Sequence, residues 1–195
     1  MDRKALILMM MLCAAASSCM KEKLKTTYNA QEDSIDKYIT GNMYAKRTGV
    51  SEKTGNDTTW TDTLRIVRNA GSNRLVLNEG MGEELQEGGN VAFYYAGYIF
   101  SGSKSSNNLF ITNHEDTAKA AGWELTDEKY EIYQINMADA KLIDGLYHGL
   151  LGVRAGEHSQ ILFSGKYGFG NEEFGIIPAN SALLYEIWVE AVSND

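Results

Sequence analysis

Beyond Thr63 apolar and polar residues mostly alternate with a period of two, and one strongly helical stretch interrupts them. "TLRIVRN" and "NRLVLNEG" read as strands joined by a turn at Ala70-Gly71-Ser72-Asn73. A glycine-rich turn, "EGMGEELQEGGN", leads into "VAFYYAGYIF", a stretch dense in β-branched and aromatic residues. After the loop "SGSKSSNN", "HEDTAKAAG" predicts a weak helix and "YEIYQINM" a strand. "DAKLIDGLYHGLLGV" places Leu142, Leu146, Leu150 and Leu151 along one helical face, with Asp139 as its N-cap. "HSQILFSG" and "ALLYEIWVEAV" are the last two strands. Strands around one clear helix predict an α+β fold, an antiparallel sheet wrapped on a helix.

The N-terminal third is patterned differently. "NAQEDSIDKYI" offers Asn29 as an N-cap, and Ile35, Tyr38 and Ile39 share one face. A short extra helix is expected there, its apolar stripe resting on something. Residues 20–27, "MKEKLKTT", are polar and without period, so 19–28 reads as a tether and 29–62 as a helical or irregular extension. Arg3 and Lys4 precede "ALILMMMLCAAA", an apolar run of signal-peptide length that is short for a membrane span. Ala16-Ser17-Ser18-Cys19 resembles a bacterial lipobox. On that reading residues 1–18 are removed and a lipid on Cys19 anchors the chain to a cell-envelope membrane, on its periplasmic or surface side. The alternative is an ordinary signal peptide with an incidental Cys19. Cys13 leaves with the leader, so no disulfide is expected.

Charge narrows the partners. The formal net charge is −8, and loss of Asp2, Arg3 and Lys4 makes it slightly more negative. An acidic chain without a basic stretch is a poor nucleic-acid binder. No metal or cofactor is expected: His114, His148 and His158 lack ligand spacing and read as surface residues. "SGKYGFG" lacks the spacing of a phosphate loop, and Glu83-Glu84 and Glu172-Glu173 read as a solvated face. The chain's one proline, Pro178, sits in "FGIIPANS", which puts Ile176 and Ile177 in a loop. Apolar residues in a loop either cap a core or line a binding site.

The order of motifs over about residues 73–192 resembles the FKBP-type peptidyl-prolyl isomerase domain. "VAFYYAGYIFSG", "LIDGLYHGLLGVRAGEH", "SQILFSGKYGFG" and "FGIIPANSALLYEIWVEAV" carry the resemblance. It implies an FKBP-like twisted antiparallel sheet around one main helix over 63–195, with an insertion near 110–141. Trp123 falls in that insertion as an exposed position. The resemblance also implies an apolar pocket for a proline ring. Tyr95, Phe110, Ile143, Ile177 and Tyr185 would take the catalytic positions, the Ile143 backbone amide meeting a substrate carbonyl. Leu142, Leu146, Phe169, Phe174 and Ile176 would complete the substrate-binding wall. Tyr95, Leu142, Ile143 and Tyr185 are equally at home as plain core in such a fold, and packing under the insertion is the alternative for Phe110, whereas the loop position of Ile176 and Ile177 favours the pocket.

The implied activity is isomerisation of X-Pro bonds in proline-containing peptides or unfolded exported proteins. Three positions depart from the family's pattern: Ile111 for an aspartate, Leu146 for a tryptophan and Phe169 for a tyrosine. They leave open a second reading, a catalytically degenerate FKBP-like lipoprotein that binds a peptide or protein.

Overall fold

Alternation along β7 divides the molecule into two cores. Leu183, Tyr185, Ile187 and Val189 face one side of the sheet, and Leu184 and Trp188 face the other. The computed structural model describes residues 20–42, 64–124 and 127–195. The leader and Cys19, and most of the 29–62 extension beyond residue 42, lie outside the described residues.

The elements are α1 (residues 20–42), β1 (Arg65–Asn69), β2 (Ser72–Asn78), β3 (Asn90–Ile99), β4 (Leu109–Thr112), α2 (Glu115–Ala120), β5 (Tyr133–Asn136), α3 (Asp144–Leu150), β6 (His158–Phe163) and β7 (Leu183–Ser193). The seven strands form one antiparallel sheet in the order β1-β2-β6-β7-β3-β4, with β5 also paired to β3. The fold is α+β, as the strand and helix pattern predicts.

α3 covers one face, where Leu146 and Leu150 join Phe93, Ile161, Phe163, Leu183 and Ile187. Two glycines let the helix approach closely. A Cβ on Gly145 would stand 2.2 Å from the Phe163 ring, and one on Gly149 would stand 2.2 Å from Ile161 Cγ2. The C-terminus of α3 is held by Arg74 of β2, which is 1% exposed. Its guanidinium donates to the carbonyls of Gly149, Leu151 and Gly152 at 2.7, 2.8 and 3.0 Å. A cation at this end complements the helix dipole. Glu157 Oε1 lies 3.2 Å from Arg74 Nε and balances its charge.

α1 covers the opposite face. Ile35 and Ile39 are fully buried against Leu75, Leu162 and Leu184, and Tyr38 stands edge-on to Phe100 at 5.3 Å. This helix is the extra one expected from residues 29–39, but it begins earlier. Residues 20–28, read as a tether, are helical because the inward stripe continues through Tyr28 and Leu24. The start of α3 is corrected in the other direction. Asp139 is not its N-cap: residues 137–139 form a turn pinned by Met137 N donating to Gly89 O, and Ile143 occupies the cap position. The segment 110–141 forms no separate body. It continues the sheet through β4 and β5, and Trp123 is half-buried against the α1-side cluster rather than exposed.

Candidate functional site

The site is built on the α3 face, where β3, β4 and β7 run side by side. Register pairs Gly97 of β3 with both Tyr185 of β7 and Ile111 of β4. Phe110 therefore meets Tyr185 edge-on, ring centroids 5.8 Å apart, and Phe163 stacks on the far side of Tyr185 at 6.1 Å. Tyr95 and Phe110 line an open cleft of about 520 Å³ with Ile111, Trp123, Lys129 and Tyr133.

Eight of the candidate residues gather on one apolar cluster. Leu146, Ile177 and Tyr185 are buried in it, and Tyr95, Phe110, Leu142, Ile143 and Phe169 pack half-buried against it. The extended backbone of Ile143 (φ −65°, ψ 145°) delivers Leu142 and Ile143 to this cluster just before α3. The Ile143 carbonyl accepts from Leu146 and Tyr147, while its N–H has no acceptor among the described residues. Such a donor beside apolar side chains is available to a ligand carbonyl.

The remaining two candidates lie apart. Phe174 and Ile177 exchange backbone hydrogen bonds of 3.0 and 2.9 Å, closing a tight turn with Gly175 at φ 58°. Ile176 stands at its tip, 69% exposed. Phe174 is 61% exposed but stacks on Phe169 at 4.7 Å. The loop before β7 thus sends Ile177 inward and Ile176 outward.

Two residues that sequence reasoning missed complete the site. Tyr133, opposite Phe93 in the β3–β5 register, stands edge-on to Tyr95 at 5.8 Å. The alternation of β5 was the available signal. Asn113 is nearly buried: its Oδ1 accepts from the Tyr95 amide at 2.6 Å, and its Nδ2 donates to the Glu131 carbonyl at 3.0 Å. One side chain so fastens the segment returning from α2 to the strand that carries Tyr95. No sequence pattern announces it.

The cluster itself is apolar, while the cleft beside it also carries Thr112, Asn113, Lys129 and Glu131. Burial pushes the Tyr185 hydroxyl above its ordinary value, with Tyr95 adding to it. Burial likewise raises Tyr95, helped by Tyr133. Both rings stay neutral at physiological pH. The Tyr95 hydroxyl has no hydrogen-bond partner among the described residues, and Ile111, 40% exposed on the cleft wall, offers none. Among the described residues, no nucleophile of the cleft is hydrogen-bonded to a base.

The histidines read as surface residues sit differently. His114 and His158 sandwich Trp188 on the α1 face, at 3.9 and 4.9 Å, and both are half-buried. His158 also meets Glu186 at 3.0 Å, and Lys104 donates to the same carboxylate at 2.7 Å.

Comparison with known proteins agrees with this geometry. A fungal relative, FK506-binding protein 1 of Aspergillus oryzae, is 28% identical over 117 residues, 60% of this chain and 94% of its own length. FK506-binding protein 1A of Neurospora crassa is 29% identical over 113 residues, 57% of this chain and 79% of its own. A crystal structure of the three FKBP domains of wheat FKBP73 shares the fold at a TM-score of 0.51 and 23% identity. That match covers 68% of this chain and 50% of the wheat chain. The family model for FKBP-type peptidyl-prolyl cis-trans isomerase matches residues 82–190, more than half of the chain. By its motifs, its sheet and this match, the chain belongs to the FKBP-type peptidyl-prolyl cis-trans isomerase family.

Proposed function

We propose that the chain is a weak peptidyl-prolyl isomerase, held at a cell-envelope membrane by a lipid on Cys19, which assists the folding of exported proteins. The observation that carries the catalytic part is the unpaired Ile143 amide beside the cluster of Tyr95, Phe110, Leu146, Ile177 and Tyr185. X-Pro isomerisation forms and breaks no covalent bond. Its barrier is lost amide resonance, about 18–20 kcal/mol for a peptide bond, and uncatalysed exchange takes tens to hundreds of seconds. A twisted amide is less dipolar than a planar one, so it loses less on entering an apolar site. The Ile143 N–H would hold a substrate carbonyl while the proline ring rests on the aromatic wall. An acceleration of about 10⁴ needs only about 5.4 kcal/mol of preferential transition-state binding.

A cis/trans assay on short X-Pro peptides, with Tyr95→Ala and Ile177→Ala as controls, tests this. Activity that falls in both variants supports it. A folded protein with no rate above background overturns it.

Ile111 and Phe169 favour a second reading. An isoleucine on the cleft wall leaves the Tyr95 hydroxyl unpaired, and Phe169 has no hydroxyl to offer a substrate. The site would then retain a proline-containing or partner segment without turning it over.

A further inference from the structure

We propose that α1 is part of the proline site's machinery, and that Gln31 is the positioning residue through which it acts. This rests on the isomerase reading above.

Two loops meet behind the site. One, residues 164–170, carries Phe169; the other, 174–182, carries Phe174 and Ile177. Asn180 N donates to Gly170 O, and a Cβ on Gly165 would lie 2.5 Å from the carbonyl carbon of Asn180. The loops therefore pack backbone against backbone, and the Phe169–Phe174 stack spans them on the site side.

α1 fastens this junction. The Gln31 side chain donates from Nε2 to the Asn180 carbonyl at 2.7 Å and accepts at Oε1 from the Gly165 amide at 2.9 Å. One planar amide thus bridges both loops. Tyr28 Oη donates to Asn180 Oδ1 at 2.6 Å, and Ser164 Oγ donates to Glu32 Oε1 at 3.3 Å. The 3₁₀ turn Gly165–Tyr167 receives no cap bond from its own Ser164 side chain. Gln31, distant in sequence, accepts from the turn's first amide, that of Gly165.

Gln31 interrupts the inward stripe of Leu24, Tyr28, Ile35 and Tyr38. An apolar residue would serve a helix that only covers the sheet. A two-way amide serves one that must fix where two loops stand, since polar groups at packed positions set register at some cost in stability. α1 would therefore set the spacing of the Phe169 and Ile177 walls, and with it the affinity for the proline ring.

The test compares the purified chain with its Gln31→Leu and Gln31→Glu variants. Gln31→Leu keeps the packing and loses both bonds; Gln31→Glu keeps the acceptor for Gly165 and loses the donor to Asn180. Backbone amide resonances of Phe169, Phe174 and Ile177 are recorded, with binding and turnover of an Ala-Leu-Pro-Phe peptide. Gln31→Leu is expected to shift those resonances and to raise KM by about threefold to tenfold at nearly constant kcat, the scale of one or two lost hydrogen bonds. Gln31→Glu, which sets a carboxylate oxygen against the Asn180 carbonyl, should shift the resonances at least as far. Resonances and peptide affinity unchanged in folded Gln31→Leu would overturn the proposal. If Gln31→Leu does not fold, Tyr28→Phe removes a single hydroxyl, and the same resonances decide. A wild-type chain without turnover would sink the isomerase reading, while the resonances still report on α1.

Discussion

Phe110 and Tyr185 meet edge-on at 5.8 Å, and through this contact β4 and β7 share one aromatic wall of the site. Tyr185 is buried and Phe110 half-buried. Their truncations should therefore separate stability from binding. Tyr185→Ala should lower unfolding free energy by about 3–5 kcal/mol, as buried aromatics do. Phe110→Ala should cost less stability and still reduce kcat/KM about tenfold, or about 1.4 kcal/mol of transition-state binding. Urea unfolding and the peptide assay measure the two effects.

Restoring polarity to the cleft should help catalysis. Ile111→Asp would give the Tyr95 hydroxyl an acceptor across the cleft, and Phe169→Tyr would return a donor to the loop. Each added bond is worth about 1 kcal/mol, so the double variant should turn over X-Pro peptides several-fold faster. A double variant that is folded but slower would favour the binding-module reading.

Stability should fall in acid through Glu186. Burial alone would raise its carboxyl, but the hydrogen bonds from His158 and Lys104 overcome this and hold it below the ordinary 4.5. A carboxylate with a depressed pKa in the folded state binds fewer protons there than in the unfolded chain. Its contribution is complete above the unfolded value and is lost as pH falls through the folded one. Thermal unfolding should show a decline in Tm below about pH 5 that is shallower in Glu186→Gln. Equal slopes in the two proteins would exclude Glu186 as the source.

The Arg74–Glu157 pair offers a sharper stability test. Arg74→Met should cost about 3–5 kcal/mol, because it leaves the buried Glu157 with only the more distant Arg65, at 3.8 Å, to balance its charge. It also strips the carbonyls that end α3. Adding Glu157→Met should recover only the part due to the uncompensated charge, because the α3 carbonyls stay without Arg74. Denaturation midpoints of the single and double variants give the comparison.

Anchoring is separable from all of this. Cys19→Ala should move the protein from the membrane fraction to the soluble one. A variant that stays with membranes would remove the lipid from the account.

The sheet was legible because its strands alternate cleanly, and β7 shows both faces in a single run from Leu183 to Val189. Helix limits were harder. Leu142 and Ile143 fit a helical stripe as well as an extended lead-in, and the extended Ile143 backbone just before α3 decides between them. α1 hid its first two turns because residues 20–27 are mostly exposed and the bonds that dock the helix begin only at Tyr28 and Gln31, whose partner Asn180 lies far along the chain. The site's apolar members could be read from motifs. Asn113 could not, since its role depends on Glu131 and Tyr95 arriving at the same place. The histidine stack likewise depends on register, which sets His158 opposite Trp188.

The helical state of residues 20–28 changes what an anchor at Cys19 would mean. A flexible leash would let the domain wander above the bilayer and sample clients at many heights. A helix of about 1.5 Å rise per residue, unbroken from residue 20 to its first bond with the rest of the fold at Tyr28, leaves little slack. The domain would then ride close to the lipid surface. Its reach would end where the bilayer's immediate neighbourhood ends, and clients would have to come to it.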